Sequence, residues 1–149
     1  MAEGIFSDLV ARNGLAHCFD VASAGTVGYQ QGCLPDPRAV AVSCLHGIDI
    51  ASMRARCIRE LDLDAFDWIF TMDNCTYHDV MEHLGPLARA RVHLMRDFSG
   101  LNETEREIQD PYYGSEKEFE RVMRELQEAS ESILEFMRTE YCFFLVPVS

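Results

Sequence analysis

The 149-residue chain has little positive charge, and this limits the partners that it can bind. Its 13 lysine and arginine residues face 25 aspartate and glutamate residues, for a formal net charge of −12 at pH 7. Nucleic acid and anionic membrane surfaces attract basic proteins, so we expect neither as the main partner. An apolar run long enough to span a bilayer is also absent. With 48% apolar residues, the chain can still build a core of one domain.

Paired cysteines and a secretory signal are absent as well. The six cysteines form no Cys-x-x-Cys pair, and the first residues run straight into an amphipathic pattern. We therefore predict reduced thiols in a cytoplasmic protein, most of them in the core. The cysteines are Cys18, Cys33, Cys44, Cys57, Cys75 and Cys142.

The sequence has no internal repeat, Walker loop or dinucleotide fingerprint. Residues 25–32 contain three glycines, but their spacing fits neither phosphate-binding motif. No bound cofactor is predicted.

Apolar periodicity predicts helices that alternate with short strands. Helices are expected at residues 2–13, from Pro37 to His46 with Asp36 as N-cap, at 76–84 and at 115–140, and strands at 19–24, 68–72 and 90–94. This alternation favours an α/β fold, a small doubly wound and mostly parallel sheet flanked by helices. In the last helix, Ser115 and Glu118 are spaced as a capping box. Its predicted core positions are Phe119, Val122, Met123, Leu126, Ile133, Leu134 and Met137.

One stretch before that helix carries a chemical pattern, Gln109-Asp110-Pro111-Tyr112-Tyr113-Gly114. Pro111 disfavours the helical region for Asp110, so the carboxyl should be held out on a turn. A carboxylic acid beside two aromatic rings is suited to general acid catalysis on an aryl leaving group. Taken alone, however, the string is also typical of an ordinary loop.

Four strings together resemble the low-molecular-weight protein tyrosine phosphatases. They are Met1-Ala2-Glu3-Gly4-Ile5-Phe6, Ser23-Ala24-Gly25-Thr26 with Pro35-Asp36-Pro37-Arg38-Ala39-Val40, Phe66-Asp67-Trp68-Ile69-Phe70-Thr71-Met72-Asp73, and Asp110-Pro111-Tyr112-Tyr113-Gly114. They stand in the family's order and at its spacing over roughly residues 1–140. The resemblance makes these residues one domain and leaves residues 141–149 as an apolar tail.

The resemblance implies a substrate and roles for individual residues. The substrate would be a phosphotyrosine protein or a small aryl phosphate, and the protein a monomer or weak homodimer. Asp110 matches the family's general acid. Tyr29 and Tyr112 match the aromatic walls around the substrate ring, and Tyr113 lies beside them. The positions that match supports of the active-site loops are Ser23, His46 and Asp73.

The family's nucleophile, by contrast, has no counterpart in these 149 residues. In the family it lies in a Cys-x5-Arg-Ser loop immediately before the residues that match Met1-Ala2-Glu3. Here no cysteine is followed six positions later by arginine. The same resemblance implies that the first, central strand is missing between residues 19–24 and 68–72. We therefore expect this chain to be an inactive, truncated relative.

Other chemistries fit the sequence less well. Cys18 beside His17 is not expected to act as a nucleophile pair, because neighbours on a strand point to opposite faces. Cys75, His78 and His83 do not share one helical face, so no metal site is predicted. An arsenate reductase is disfavoured, since paired redox thiols are not evident. The residues from Tyr141 to Val146 could act as a surrogate strand.

Two function classes remain open at this point. In the first, the gene product is an active phosphatase and the start at Met1 is misassigned. In the second, the chain is a non-catalytic binding or competitor form. The DNA upstream of the Met1 codon would distinguish them, because only the first requires an in-frame Cys-x5-Arg-Ser-Pro.

Overall fold

A computed structural model describes residues 1–86, 88 and 90–141. The regular elements of this part are α1 (Ala2–Arg12), α2 (Pro37–Leu45), β1 (Trp68–Thr71), α3 (Asn74–His83), β2 (Arg91–Leu94) and α4 (Glu116–Tyr141). The four predicted helices are confirmed, each with ends within two residues of the expected ones. The strands predicted at 68–72 and 90–94 are also confirmed, each one residue shorter.

The two strands form a parallel pair flanked by helices. Trp68 is opposite Arg91 and the register continues to Thr71 opposite Leu94. Helix α3 links the strands and contacts both of them, which is the crossover that a parallel pair requires. The molecule therefore has an α/β fold with helices flanking a parallel sheet.

Helix α4 packs against α1 and α2 and supplies much of the core. Its buried positions recur every three or four residues, as an amphipathic helix requires. All seven core positions predicted for it are buried: Phe119, Val122, Met123, Leu126, Ile133, Leu134 and Met137. Farther along, the Trp68 indole N–H donates to the Tyr141 hydroxyl at 2.8 Å, which joins the end of α4 to β1.

Local hydrogen bonds explain where α2 and α3 begin. The Asp36 carboxylate accepts from the Arg38 backbone N–H at 2.8 Å, which confirms the predicted N-cap. At α3, the Asp73 carboxylate accepts from the Thr76 N–H at 2.7 Å, and the Thr76 hydroxyl is 3.2 Å from the Asp73 N–H. This capping box starts α3 two residues before the expected position.

The strand predicted at residues 19–24 is not present. Residues 19–24 are not assigned to a strand. The next residue, Gly25, makes an isolated parallel bridge to Cys57. The prediction was wrong because apolar alternation does not supply the neighbouring ladder that defines a strand. His17 and Cys18 lie in a 3-10 turn, so the strand-based argument about them was also wrong.

The remaining segments bear on two further expectations. Tyr141 is the last residue of α4, and the surrogate strand predicted over the tail lies, beyond Tyr141, outside the described residues. Of the helices that the structure describes, none combines the length and the apolar character needed to cross a membrane.

Candidate active site

The predicted acid sits on a tight turn, which we call the acid loop (residues 107–114). The Asp110 carboxylate accepts through Oδ1 from the Tyr112 N–H at 3.0 Å, and the Gly114 N–H donates to the Pro111 carbonyl at 2.8 Å. Asp110 is nevertheless exposed to solvent. The turn therefore fixes the carboxyl in orientation and leaves it accessible, as a proton donor to a bound substrate requires.

The first half of the acid loop is attached to the carboxyl end of β1. The Ile108 N–H donates to the Met72 carbonyl at 2.8 Å, and the Ile108 side chain is buried. Glu107 accepts from the Asn74 N–H at 3.1 Å, at the start of α3. Asp110 thus follows two residues after an anchor at the sheet edge where open α/β folds place their ligands.

The second half of the loop leads directly into α4. The Ser115 N–H and hydroxyl both donate to the Glu118 carboxylate, the former at 2.7 Å. The Glu118 N–H bonds to the Ser115 backbone carbonyl, so one half of the predicted capping box is formed. Hydrogen bonding from Ser115 also lowers the pKa of Glu118. A side chain at Gly114 would meet Glu118 Cγ at 2.8 Å, so this close approach requires glycine.

Arg38 holds the same half of the loop from the other side, and sequence reasoning gave it no role. Its Nη1 donates to the Gly114 carbonyl at 2.8 Å and its Nη2 to the Tyr112 carbonyl at 2.9 Å. The guanidinium also binds Asp36, through Nε at 3.0 Å and Nη2 at 2.7 Å. Hydrogen bonding from Arg38 holds the pKa of Asp36 below its usual value, and Asp36 raises the pKa of Arg38.

The three predicted substrate-contacting tyrosines are displayed on two loops. Tyr112 and Tyr113 meet edge to face with ring centroids 5.1 Å apart. Tyr112 is 50% exposed and Tyr113 is 96% exposed. Tyr29 is 82% exposed and lies on a separate segment, residues 25–34, which we call the Tyr29 loop. Only Tyr112 therefore has substantial contact with the protein, as a fixed wall would.

The Tyr29 loop is attached mainly to the segment at residues 55–57. Gly32 donates to the Ala55 carbonyl at 2.8 Å, and Ala55 donates to the Cys33 carbonyl at 3.0 Å. At the loop's beginning, the Gly25 N–H donates to the Arg56 carbonyl at 2.8 Å. The loop is therefore held by backbone bonds at its two ends, with Tyr29 between them.

Ser23 takes part in a polar cluster at the first turn of α1. Its hydroxyl donates to Glu3 at 2.6 Å, and the Arg56 guanidinium donates to the same carboxylate at 2.8 Å. Arg56 Nε reaches the Ser23 carbonyl at 3.2 Å. The cluster joins α1 to the two segments that support the Tyr29 loop.

His46 and Asp73, the other predicted loop supports, make contacts at helix ends. His46 caps the end of α2, and its Nε2 lies 3.1 Å from the Glu120 carboxylate of α4. The Asp73 carboxylate is engaged by the capping box of α3. His46 therefore joins α2 to α4, whereas Asp73 only caps α3, one residue before the Asn74 that donates to Glu107.

The thiols of the described residues are free and differ in exposure. Cys57 is buried, Cys18 is half-buried, and the rest of the free thiols are exposed: Cys33, Cys44 and Cys75. The prediction that most of the cysteines lie in the core was therefore wrong. Across residues 1–86, 88 and 90–141, no group of three or more His, Cys, Asp and Glu side chains is arranged to hold a metal ion. The His83 Nδ1 atom lies instead 2.7 Å from the Asp79 carbonyl of its own helix.

Comparison with known proteins identifies the family. The model of the family "Low molecular weight phosphotyrosine protein phosphatase" matches residues 1–141. Low molecular weight phosphotyrosine protein phosphatase 2 of Drosophila melanogaster is 34% identical over 139 residues, which are 93% of this chain and 84% of the relative. The pig phosphatase of the same description is 30% identical over 140 residues, 93% of this chain and 87% of the relative.

Solved structures give the same result. A protein tyrosine phosphatase from Entamoeba histolytica superposes with a TM-score of 0.84 at 30% identity, covering 93% of this chain and 88% of that one. YfkJ from Bacillus subtilis superposes with a TM-score of 0.82 at 28% identity, covering 94% of this chain and 86% of that one. The chain belongs to the low-molecular-weight phosphotyrosine protein phosphatase family.

Proposed function

We propose that this chain carries the acid and aromatic half of a phosphotyrosine phosphatase site. Asp110 is the general acid, Tyr112 and Tyr29 are walls for the aryl ring, and Tyr113 is a rim residue. The single observation that supports this most strongly is the acid loop, which fixes an accessible carboxyl beside a half-exposed tyrosine ring. The surrounding loops would be supported indirectly by three residues that do not contact substrate: Ser23 through Glu3, His46 through Glu120, and Asp73 through the cap of α3.

The chemistry assigned to Asp110 is a single proton transfer. In the family reaction a thiolate attacks phosphorus, and the bond from phosphorus to the aryl oxygen breaks. The carboxylic acid of Asp110 would give its proton to that oxygen, so that a neutral phenol leaves. The carboxylate that remains could then accept a proton from the water that hydrolyses the phosphocysteine.

We further propose that the 149 residues alone do not turn over phosphate esters. An acid without a nucleophile has no covalent intermediate to form, and no cysteine here precedes an arginine by six positions. The cradle of backbone N–H groups and guanidinium that binds phosphate, and the low thiol pKa that goes with it, would also be missing. The domain would span residues 1–140 and would lack the family's first, central strand.

The first test measures hydrolysis of p-nitrophenyl phosphate and phenyl phosphate by the 149-residue protein. We expect a rate equal to the blank. A rate above the blank that disappears in Asp110→Ala would overturn the proposal of inactivity, because it would require a nucleophile that we have not identified.

The second test supplies the other half of the site. A segment that contains the family's Cys-x5-Arg loop is joined ahead of Met1. We expect hydrolysis to appear, and Asp110→Asn in this fusion to lower kcat/KM by about 10² to 10⁴, the usual range for general acid catalysis. The loss should be greater for phenyl phosphate, whose leaving group is the more basic phenolate.

Asp49→Asn is the matched control for this fusion. Asp49 accepts from the Ala51 N–H at 2.9 Å in the same two-residue turn that Asp110 makes with Tyr112, and it too is exposed. Its substitution should leave kcat/KM unchanged. An active fusion that is indifferent to Asp110→Asn would refute the acid assignment, and a folded but inactive fusion would refute the half-site.

A further inference from the structure

We propose that Arg38 is the positioning residue for the acid loop and sets the orientation of Asp110 and Tyr112 without touching substrate. This inference rests on the proposed function, because it concerns the loop that would carry the acid. Its geometric part, however, can be tested on the chain as it is.

The Arg38 guanidinium connects α2 to the acid loop by two hydrogen bonds. Its two terminal nitrogens reach two carbonyls of one turn, Gly114 at 2.8 Å and Tyr112 at 2.9 Å. These carbonyls lie 76 and 74 residues away in the chain. A charged donor makes hydrogen bonds roughly twice as strong as neutral ones, so Arg38 is the main link from α2 to this half of the loop.

Arg38 is itself held in place on three sides. The Asp36 carboxylate accepts hydrogen bonds from Nε and Nη2 and also caps α2. It is therefore fixed to the helix and would stay in place if the acid loop moved. The guanidinium carbon lies 4.5 Å from the centroid of the Phe119 ring, which is only 3% exposed. The Tyr112 ring centroid is 5.9 Å away. We call the contacts of Arg38 with Asp36, Tyr112 and Gly114 the Arg38 clamp. The clamp rests on the N-terminus of α2 and on a core aromatic residue, Phe119.

The clamp acts on Asp110 through a single residue, Tyr112. The Tyr112 carbonyl is bound to Arg38, and the N–H of the same residue is bound to Asp110 Oδ1. If the Tyr112 backbone moves, the carboxyl loses its partner and the Tyr112 ring changes direction. Arg38 thus controls both the acid and one aromatic wall.

Lysine could not replace this arrangement. The planar guanidinium presents its donors in a fixed fork, and here the fork reaches two carbonyls and a carboxylate at once. An ammonium group is a compact point charge and would satisfy one side of the clamp at a time. The inference therefore predicts that keeping the charge at position 38 does not preserve the loop geometry.

The primary test measures amide hydrogen exchange by NMR in Arg38→Lys and Arg38→Gln. We expect exchange at the Tyr112 and Gly114 N–H groups to accelerate about tenfold in both variants, because the turn opens when its carbonyls are released. Exchange at Met123 and Leu126, in the core face of α4, should stay within twofold of the wild type.

Arg54→Lys is the matched control for this measurement. Arg54 also donates to two backbone carbonyls, those of Ser52 at 2.8 Å and Met53 at 2.9 Å, but they belong to its own turn. It should leave the acid loop unchanged. Unchanged exchange at Tyr112 and Gly114 in the Arg38 variants would overturn the proposal. An acceleration shared equally with Met123 would also overturn it, since that would indicate general destabilisation.

The fusion that carries the Cys-x5-Arg loop adds a catalytic readout. There Arg38→Lys should lower kcat about tenfold on phenyl phosphate and less on p-nitrophenyl phosphate, while KM rises by a similar factor for both, because the Tyr112 wall also moves. Equal losses on the two substrates would contradict a role through Asp110. A fusion that is inactive with Arg38 intact would refute the half-site, while the exchange result would still decide whether Arg38 clamps the loop.

Discussion

The two loops that display the proposed site are held in different ways. The acid loop is attached at both halves to regular elements, through Ile108 to β1 and through Arg38 to α2. The Tyr29 loop is attached to residues 55–60, a stretch with no α-helix or strand, by backbone bonds at its ends and by the Gln31 side chain, which binds Glu60. At the centres of the two loops, Tyr112 is 50% exposed and Tyr29 is 82% exposed.

This difference follows what each loop would have to do. A general acid must come within about 3 Å of the atom that it protonates, so its support has to be rigid. An aromatic wall tolerates a range of separations, because ring contacts remain favourable over centroid distances of about 4.5 to 7 Å. Under the proposed function, the anchored acid loop would carry the general acid, and the Tyr29 loop would contribute an adaptable wall for the aryl ring.

The largest expected effect is on the free energy of unfolding, and it compares a core residue beneath the acid loop with an exposed residue of the Tyr29 loop. Phe119→Ala should lower the free energy of unfolding by about 3 to 5 kcal/mol, because it empties a buried aromatic site beneath Arg38. Tyr29→Ala should change it by less than about 0.5 kcal/mol, since an exposed side chain makes few contacts. Urea unfolding followed by circular dichroism measures both values.

Phe119→Leu is the matched control, because it keeps most of the apolar volume and removes the ring under the guanidinium. It should cost clearly less than Phe119→Ala. A Tyr29→Ala variant as unstable as Phe119→Ala would show that the Tyr29 loop is also built on the core, and the contrast between the loops would be lost.

Sequence reasoning succeeded where the signal is periodic and local. The apolar stripe of α4 repeats over about five turns from Phe119 to Met137, and each of its predicted core positions is buried. It failed at residues 19–24, because a strand depends on a neighbour that lies elsewhere in the chain. It also placed the start of α3 two residues late, since the Asp73 and Thr76 capping box begins before the apolar residues of the helix.

The candidate site divides in the same manner. Asp110, Pro111 and Tyr112 are adjacent, so the Asx turn could be expected from the string alone. Arg38 could not be found in this way, because its partners are more than 70 residues away in the chain. They are also backbone carbonyls, which every residue has, so the sequence does not mark them. A basic residue directly after an N-capping Asp-Pro pair was the one available signal, and it also fits an ordinary helix start.

An intermediate effect tests the other anchor of the acid loop. Glu107→Ala removes the acceptor of the Asn74 N–H, and we expect a loss of about 1 kcal/mol in the free energy of unfolding. Amide exchange should accelerate at Asn74 and at Ile108, near the start of the acid loop. The matched control is Glu105→Ala, two residues earlier and exposed. Exchange that changes only at Tyr112 and Gly114 would show that the two anchors are not separate.

The smallest expected effect concerns the charge behind the Arg38 clamp, and it depends on pH. Arg38 holds the pKa of Asp36 below its unfolded value of about 4. A carboxyl with a lowered folded pKa stabilises the fold above the unfolded pKa, and this contribution is lost as the pH falls through the folded pKa. Asp36→Asn keeps an acceptor for the N-cap and removes only the charge.

We therefore expect Asp36→Asn to be less stable than the wild type by about 0.2 to 1 kcal/mol at pH 7, the range for an exposed ion pair. The difference should shrink as the pH falls below about 4. Urea unfolding at a series of pH values measures it. In an Arg38→Gln background the pH dependence should be smaller but should remain, because the backbone N–H groups of residues 38 and 39 also lower the pKa of Asp36. A difference that stays constant with pH would mean that Asp36 serves the clamp as a cap alone, and that the anchoring of the acid loop does not depend on its charge.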